Sequence, residues 1–463
     1  MTVPYWVQDA IFYQIFPDRF AKGSEKSYGH YHEWGTPPNG TGYYGGDLRG
    51  VIQKFDYLLD LGINSIYLNP IFKANSSHRY NTTDYYQIDP MLGTLQDFHA
   101  LIDVAHSNAV RVILDGVFNH CGRGFFAFND ILENQEESPY QDWFFINHFP
   151  IDAYSPGEAK DYLAWWKFKS LPKFNIGNSE VRNYLLGVAK YWIEMGADGW
   201  RLDVPNEIDD DQFWLDFQHT VRSINQDAYL LGEIWDFNPR WLDANHFDGL
   251  MHYPIRDVII GFLNGQISAQ QFADQVEKPF KIYPHSNCYS MYVPLGTHDT
   301  ERLYTACGED IRKVQMAYLF QFAYPGAPAI YYGDEIGIQG GKDPDCRRTF
   351  PWDRREWRLD LIGFVKKLIA LRKRYVVLRR GSYTRLLTDN LRSVYVFTRV
   401  LGDEKILIAI NASSTRRLMR IPIGQIGWQD GQIVRNLIEG EEYIINGETL
   451  TFTLPPWKGL WIK

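Results

Sequence analysis

The sequence predicts an α/β protein: a (β/α)₈ barrel interrupted after its third strand by an aromatic-rich insert and followed by an antiparallel β-sandwich. Three observations lead there. Eight short apolar runs alternate with amphipathic helical patterns. One long irregular stretch separates the third run from the helix after it. Beyond Arg379 the hydrophobic period changes from that of a helix to that of a strand.

Taken in order, the eight runs are Ala10–Phe16, Ile63–Leu68, Arg111–Val117, Gly199–Val204, Tyr229–Ile234, Phe247–His252, Tyr289–Leu295 and Ala329–Tyr332. Each ends in a polar or charged cluster. Helical patterns such as Leu48–Leu61, Leu95–Asn108, Ser179–Met195 and Ile311–Phe322 lie between them. A doubly wound open sheet would alternate in the same way, but no GxGxxG turn follows the first strand. The stretch 121–176 holds 14 aromatic residues in 56, or 25%, against 16% for the whole chain. A loop this long inside a domain either serves function or folds as a subdomain. After Arg379 the runs Ser393–Arg399, Lys405–Asn411 and Glu448–Leu454 read as antiparallel strands. The expected division is therefore 1–120 with 177–379 for the TIM barrel, 121–176 for the insert and 380–463 for the sandwich. No internal repeat or low-complexity linker is found.

With 463 residues, 45% hydrophobic and 22% charged, the chain has ample material for a core. A formal net charge of −9 argues against a nucleic-acid partner, which needs clustered cations. No stretch approaches the roughly 18 uncharged apolar residues of a membrane span. The four cysteines, Cys121, Cys288, Cys307 and Cys346, show no CxxC pairing, so zinc and redox motifs are unsupported. They fit free thiols in a reducing compartment. The start, Met1 to Trp6, has neither a basic nor an apolar leader region, and a cytoplasmic protein is expected. No cofactor or metal motif emerges, and none is expected. The 15 Trp and 30 Tyr suit the apolar C–H faces of sugar rings as well as core packing.

Catalytic groups of such barrels stand at the C-terminal ends of the strands. Strand four reads Gly199-Trp200-Arg201-Leu202-Asp203; Arg201 and Asp203, two apart, point to one face. An arginine beside a carboxylate favours its ionised form, as a nucleophile requires. Strand five ends in Leu231-Gly232-Glu233, with few cations nearby in sequence, so a desolvated Glu233 is expected to keep its proton. Strand seven runs into Gly296-Thr297-His298-Asp299. A lone acid after a strand is more often a helix cap, and a lone histidine such as His120 or His298 a structural residue. Acids at three neighbouring strand ends outweigh that reading, and Asp203 with Glu233 matches the two-carboxylate design for glycosidic cleavage.

The segments Asp115-Gly116-Val117-Phe118-Asn119-His120, Gly199 to Glu207, Gly232-Glu233-Ile234-Trp235 and Gly296-Thr297-His298-Asp299 make the chain resemble the α-amylase superfamily of glycoside hydrolases. The resemblance implies Asp203 as nucleophile, Glu233 as acid/base and Asp299 as the acid that grips ring hydroxyls. It also implies Arg201 as the group orienting Asp203, His120 and His298 as hydroxyl ligands, and Tyr80 as a stacking platform. Leu171-Pro172-Lys173-Phe174-Asn175, Val204-Pro205-Asn206-Glu207 and the run Asp343 to Arg348 are similar to the cyclomaltodextrinase, neopullulanase and maltogenic amylase group. There Trp235 matches an aromatic near the leaving-group sugars, and Asn206 lies in the segment thought to tune linkage choice. The implied substrates are α-1,4- and α-1,6-linked glucans: maltooligosaccharides, pullulan, cyclodextrins and branched chains. The chain departs from this group in three ways. It starts at strand one, without the N-terminal β domain that usually builds the homodimer. Pro205 replaces the usual alanine. Ala21-Lys22-Gly23-Ser24-Glu25-Lys26 stands where the group often carries Asn and Asp calcium ligands, and lysine supplies no oxygen, so that site is expected to be lost. The preferred linkage and a monomer or homodimer state stay open. So does a catalytically silent α-glucan-binding protein, although such a chain should lack one of the three acids. A metal-dependent hydrolase would want paired histidines at a strand end, whereas His30-Tyr31-His32 lies in a loop.

Overall fold

All eight apolar runs contribute parallel strands to one sheet in the computed structural model, which describes residues 3–23, 31–424 and 426–463. The strands are β1 (Phe12–Ile15), β2 (Ser65–Leu68), β3 (Arg111–Gly116), β4 (Gly199–Leu202), β5 (Tyr229–Gly232), β6 (Gly249–Leu250), β7 (Tyr292–Pro294) and β8 (Ala327–Tyr331). Neighbours pair in sequence order, β8 returns beside β1, and a bridge from Met251 to Tyr292 links the β6 and β7 edges. The sheet thus closes on itself and leaves no free edge.

Register sets the filling of the lumen. Phe12 pairs with Ala329, a large side chain beside a small one, and Phe12 stacks on Tyr229 at 6.0 Å between centroids. Tyr67, Ile113, Leu231 and Tyr292 complete this inner cluster. The alternate residues Tyr13, Ile15, Ile66, Leu68, Val112 and Leu114 face outward under the helices. Both faces are buried, which is why these strands read as unbroken apolar runs. Helix Leu95–Ser107 opens on a capping box between Thr94 and Asp97, and Ser179–Glu194 opens on the side chain of Asn178. The pattern over 48–61 forms two helices, Leu48–Gln53 and Phe55–Leu61, instead of the single one expected. At Lys54 (φ −104°, ψ 13°) the N–H is shared among the Gly50, Val51 and Ile52 carbonyls, a turn tighter than the α-helix.

Between β3 and the helix Ser179–Glu194 the chain passes through an α-helix, Phe126–Asn134, short 3₁₀ turns, and isolated antiparallel bridges, Phe144–Phe174, Ile146–Tyr162 and Ala164–Pro172. Its rings pack on each other: Phe128 lies 4.9 Å from Tyr162 and 5.0 Å from Phe144, edge to face. A bridge between His120 and Lys173 ties its two ends together at the mouth of the barrel.

The C-terminal strands are β9 (Ser382–Asp389), β10 (Val394–Leu401), β11 (Glu404–Asn411), β12 (Arg417–Pro422), β13 (Ile433–Arg435), β14 (Glu442–Ile444), β15 (Thr449–Leu454) and β16 (Lys458–Ile462). They form an antiparallel sheet in the order β9-β10-β11-β16 and the pairs β12-β15 and β13-β14. Val394, Val396, Leu407 and Ala409 meet Met419, Ile421, Leu450 and Phe452 in the sandwich core. The opposite face of the first sheet, including Phe397 and Ile408, joins the core around the barrel helices, with Phe397 5.6 Å from Phe320. The buried Arg399 strengthens that contact, its Nη1 donating to the carbonyls of Ala323 (2.5 Å) and Leu378 (2.7 Å).

Candidate active site

Parallel pairing of β3 with β4 sets Asp115 opposite Arg201. The Arg201 guanidinium is wholly buried and serves three carboxylates. Its Nη1 lies 2.7 Å from Asp115 Oδ1 and 2.9 Å from Asp203 Oδ1, and its Nη2 lies 2.9 Å from Glu233 Oε1, off the line of a hydrogen bond. The other oxygen of Asp115 accepts from the hydroxyls of Tyr67 (2.5 Å) and Tyr80 (2.8 Å).

Arg201 stands beside Asp203 as its spacing implies, and it also reaches Glu233, which has few cations near it in sequence. One cation faces three buried acids. Burial pushes the carboxyls of Asp203, Asp115 and Glu233 up, and Arg201 opposes this at all three. One guanidinium among three buried carboxyls favours a proton shared within the set over ionisation of all three. The donors around the acids differ. Glu233 Oε2 accepts the Val204 N–H (2.9 Å), and its Oε1 accepts the Trp235 indole N–H (3.1 Å). Val204 adopts left-handed dihedrals (φ 37°, ψ 51°), a costly state for a β-branched residue, and Pro205 starts the short 3₁₀ turn that follows.

The third acid, Asp299, sits after β7. Gly296 before it has no room for a Cβ, which would meet Asp334 Oδ2 at 2.1 Å. Asp299 Oδ1 pairs with Arg347 Nη2 (3.1 Å) and Oδ2 with His298 Nε2 (3.0 Å). Arg347 also reaches Asp343 Oδ1 (3.0 Å) and the His298 carbonyl (2.8 Å). Gln14 Nε2 bonds Asn69 Oδ1 (3.0 Å) and His298 Nδ1 (2.9 Å). An amide nitrogen only donates, so Nδ1 accepts and the His298 proton is on Nε2. That proton faces the Tyr80 hydroxyl and Asp299. Burial, with Arg347 and Arg201 adding to it, holds His298 well below the usual imidazole range, hence neutral. Tyr80 stacks on its ring at 5.4 Å and 8°.

At the insert side, burial pushes His120 down to about 3, and its buried Nε2 has no hydrogen-bond partner of good geometry among the described residues. The ring stacks on Trp165 (5.4 Å), which stacks on Trp166 (4.6 Å, 8°); Trp166 is 73% exposed. On the other side Trp235, 49% exposed, lies flat on Tyr253 at 3.7 Å and 5°. Asn206 is exposed on the turn Pro205–Glu207 beside the acids. The structure therefore gathers Asp203, Glu233, Asp299, Arg201, His298 and Tyr80 into one linked cluster, with His120 and Trp235 on its flanks and Asn206 at the rim. Sequence reasoning did not single out Asp115, Tyr67, Gln14 or Arg347. Asp115 heads a motif segment in the sequence, but its pairing with Arg201 emerges only from the register of β3 and β4.

Among the described residues no group of three or more His, Cys, Asp or Glu side chains is placed to hold a metal ion. His30 of the HxH motif and Ser24, Glu25 and Lys26 of the calcium-loop reading lie outside the described residues. All four cysteines are buried and free, and no described helix is long and apolar enough to cross a membrane.

The closed barrel with acids at the ends of β4, β5 and β7 is the architecture of an α-glucan hydrolase, and sequence comparison agrees. Residues 14–358 match the alpha amylase catalytic domain, and residues 383–461 match the maltogenic amylase C-terminal domain. The chain belongs to the alpha-amylase family. It is 44% identical to a cyclomaltodextrinase of Geobacillus thermopakistaniensis over 98% of this chain and 76% of that protein. Two solved structures superpose closely. The Nostoc punctiforme debranching enzyme has a TM-score of 0.91 at 39% identity, covering 100% of this chain and 99% of that one. The cyclic alpha-maltosyl-(1→6)-maltose hydrolase of Arthrobacter globiformis has a TM-score of 0.90 at 34% identity, covering 100% of each.

Proposed function

We propose that this chain is a retaining hydrolase of α-glucosidic bonds with Asp203 as nucleophile and Glu233 as general acid and base. The observation that carries the reading is the single guanidinium of Arg201 held by both Asp203 and Glu233. It fixes two acids side by side in a set that burial keeps partly protonated. Glu233 protonates the glycosidic oxygen while an Asp203 oxygen attacks C1, and the leaving sugar departs. Glu233, now ionised, takes a proton from water, which opens the glycosyl–Asp203 ester with a second inversion. Asp299 and the Nε2 proton of His298 receive ring hydroxyls of the sugar at the cleavage point, and His120 Nε2 takes another. Tyr80 supplies a flat wall for that ring. Trp235, next to Glu233 and half exposed, supports the leaving-group side, with Asn206 at its rim.

The substrates are α-1,4- and α-1,6-linked glucans. The names of the two structural relatives, a debranching enzyme and a hydrolase of a maltosyl-(1→6)-maltose ring, support activity at α-1,6 links. Four buried free thiols support action in the cytoplasm. The test is product analysis on pullulan: maltotriose reports α-1,6 cleavage and panose reports α-1,4 cleavage. Asp203→Asn and Glu233→Gln should each abolish both products; turnover unchanged in Asp203→Asn refutes the assignment.

A further inference from the structure

Between the loop after β1 and the loop after β8 lies a cavity of about 890 Å³, which none of the acids, histidines or stacking rings above lines. Two tryptophans wall it, each fixed by its own N–H. Trp34 Nε1 donates to the Phe350 carbonyl (2.9 Å) and Trp352 Nε1 to the Phe20 carbonyl (2.7 Å). A lysine lies over each ring. Lys54 Nζ is 4.4 Å from the Trp352 centroid and Lys22 Nζ 5.4 Å from that of Trp34.

Among the described residues neither ammonium lies in an ion pair, and each is placed over an indole. Arg358 has none either. Its Nη2 donates to the neutral Tyr304 hydroxyl (2.6 Å), and its guanidinium lies 4.2 Å over that ring. Two acids reach the lining, and Asp353 is taken by Arg355 (2.9 Å), which leaves Glu356. Among the described residues, three unmatched cations against one acid make a concave positive site in a chain whose net charge is −9.

The lysines cap the indole faces, so a flat nucleobase has no free ring there to stack on. The remaining polar groups, Gln339, Thr349 and Glu356, suit hydroxyls. A cavity of this size holds a small polar ligand with its charged end on the lysines. We propose that it binds a sugar carrying a phosphate group, with the phosphate between Lys22 and Lys54 and the hydroxyls toward Gln339 and Glu356. Arg348 in its wall directly follows Arg347, which grips Asp299, so one loop contributes to both sites.

The experiment is isothermal titration of the intact chain with glucose 6-phosphate, glucose, inorganic phosphate and ATP at low salt. Glucose 6-phosphate should bind with a Kd below about 1 mM and at least about tenfold more tightly than glucose or phosphate, a gap of about 1.4 kcal/mol. Raising the salt to about 0.5 M should weaken binding several-fold. Lys54→Gln and Lys22→Gln should each lose about tenfold, Lys54→Arg should retain binding, and glucan hydrolysis should stay at the wild-type rate in all three. Equal binding of glucose 6-phosphate and phosphate would show an anion site without sugar recognition and overturn the proposal. So would tighter binding of ATP, no binding at all, or wild-type affinity in both Gln variants. Because calorimetry reads the cavity without turnover, failure here is distinct from failure of the hydrolase assignment.

Discussion

Replacing Trp235 with Phe tests how the protonation of Glu233 is set. The indole N–H donates to Glu233 Oε1 at 3.1 Å, and this bond favours the ionised carboxylate. Phe keeps a ring to lie on Tyr253 but removes the donor. A hydrogen bond to a charged group contributes about 1.5–3 kcal/mol. A half-exposed donor at this length is worth about 1 kcal/mol, and 1.36 kcal/mol corresponds to one pKa unit, so the Glu233 carboxyl should rise by roughly 0.5–1 unit. The acid form works below its pKa, so the basic limb of the pH dependence of kcat/KM moves up by that amount and the variant keeps activity into more alkaline solution. Trp235→Ala also removes the donor but admits water, which lowers the desolvation that holds the proton; its limb should lie below that of the Phe variant. The assay is initial-rate hydrolysis of a maltooligosaccharide from about pH 4 to 9. A basic limb that stays put or moves down in Trp235→Phe refutes the reasoning.

Three further outcomes follow from particular contacts. His120→Phe keeps the stack on Trp165 but loses Nε2, which has no well-formed hydrogen bond among the described residues; kcat/KM should fall about tenfold while the thermal midpoint holds. Glu335 is wholly buried, accepts from the hydroxyls of Tyr13 (2.8 Å) and Tyr57, and is pushed up by burial to about 7. A folded-state pKa above the unfolded value means that its contribution is present below about pH 4.5 and is lost as pH rises toward 7. Glu335→Gln should therefore flatten the decline in stability across that window by about 3 kcal/mol, read by chemical denaturation at several pH values. Val204→Asn places a residue that tolerates left-handed dihedrals where valine is strained, and calorimetry should show a midpoint raised by about 1–2 °C.

The barrel was legible because its strands are buried on both faces and its helices carry apolar stripes, two signals that local periodicity records directly. Lys54 escaped the reading because nothing in the apolar spacing of 48–61 marks a single tightened turn. The strand-end acids were legible from their place after apolar runs, and Arg201 with Asp203 from their spacing of two. What the spacing could not show is that Arg201 also serves Asp115 and Glu233. Asp115 lies 86 residues earlier and meets Arg201 only through the register of β3 and β4. The linkage of Asp299 to Asp343 through Arg347 was hidden for the same reason, since it depends on where the loop after β8 folds back. Nor does the sequence distinguish His120, with an unpartnered nitrogen, from an ordinary satisfied histidine; only its surroundings do.

The central claim is that Asp203 forms a covalent bond to the sugar. An activated 5-fluoro-α-glucosyl or maltosyl fluoride, which slows hydrolysis of the intermediate, can be incubated with the chain and the peptides analysed by mass spectrometry. The account predicts one glycosylated peptide, with the sugar on Asp203, and none in Asp203→Asn. A sugar attached to another residue, or turnover of the reagent by Asp203→Asn at the wild-type rate, would contradict it.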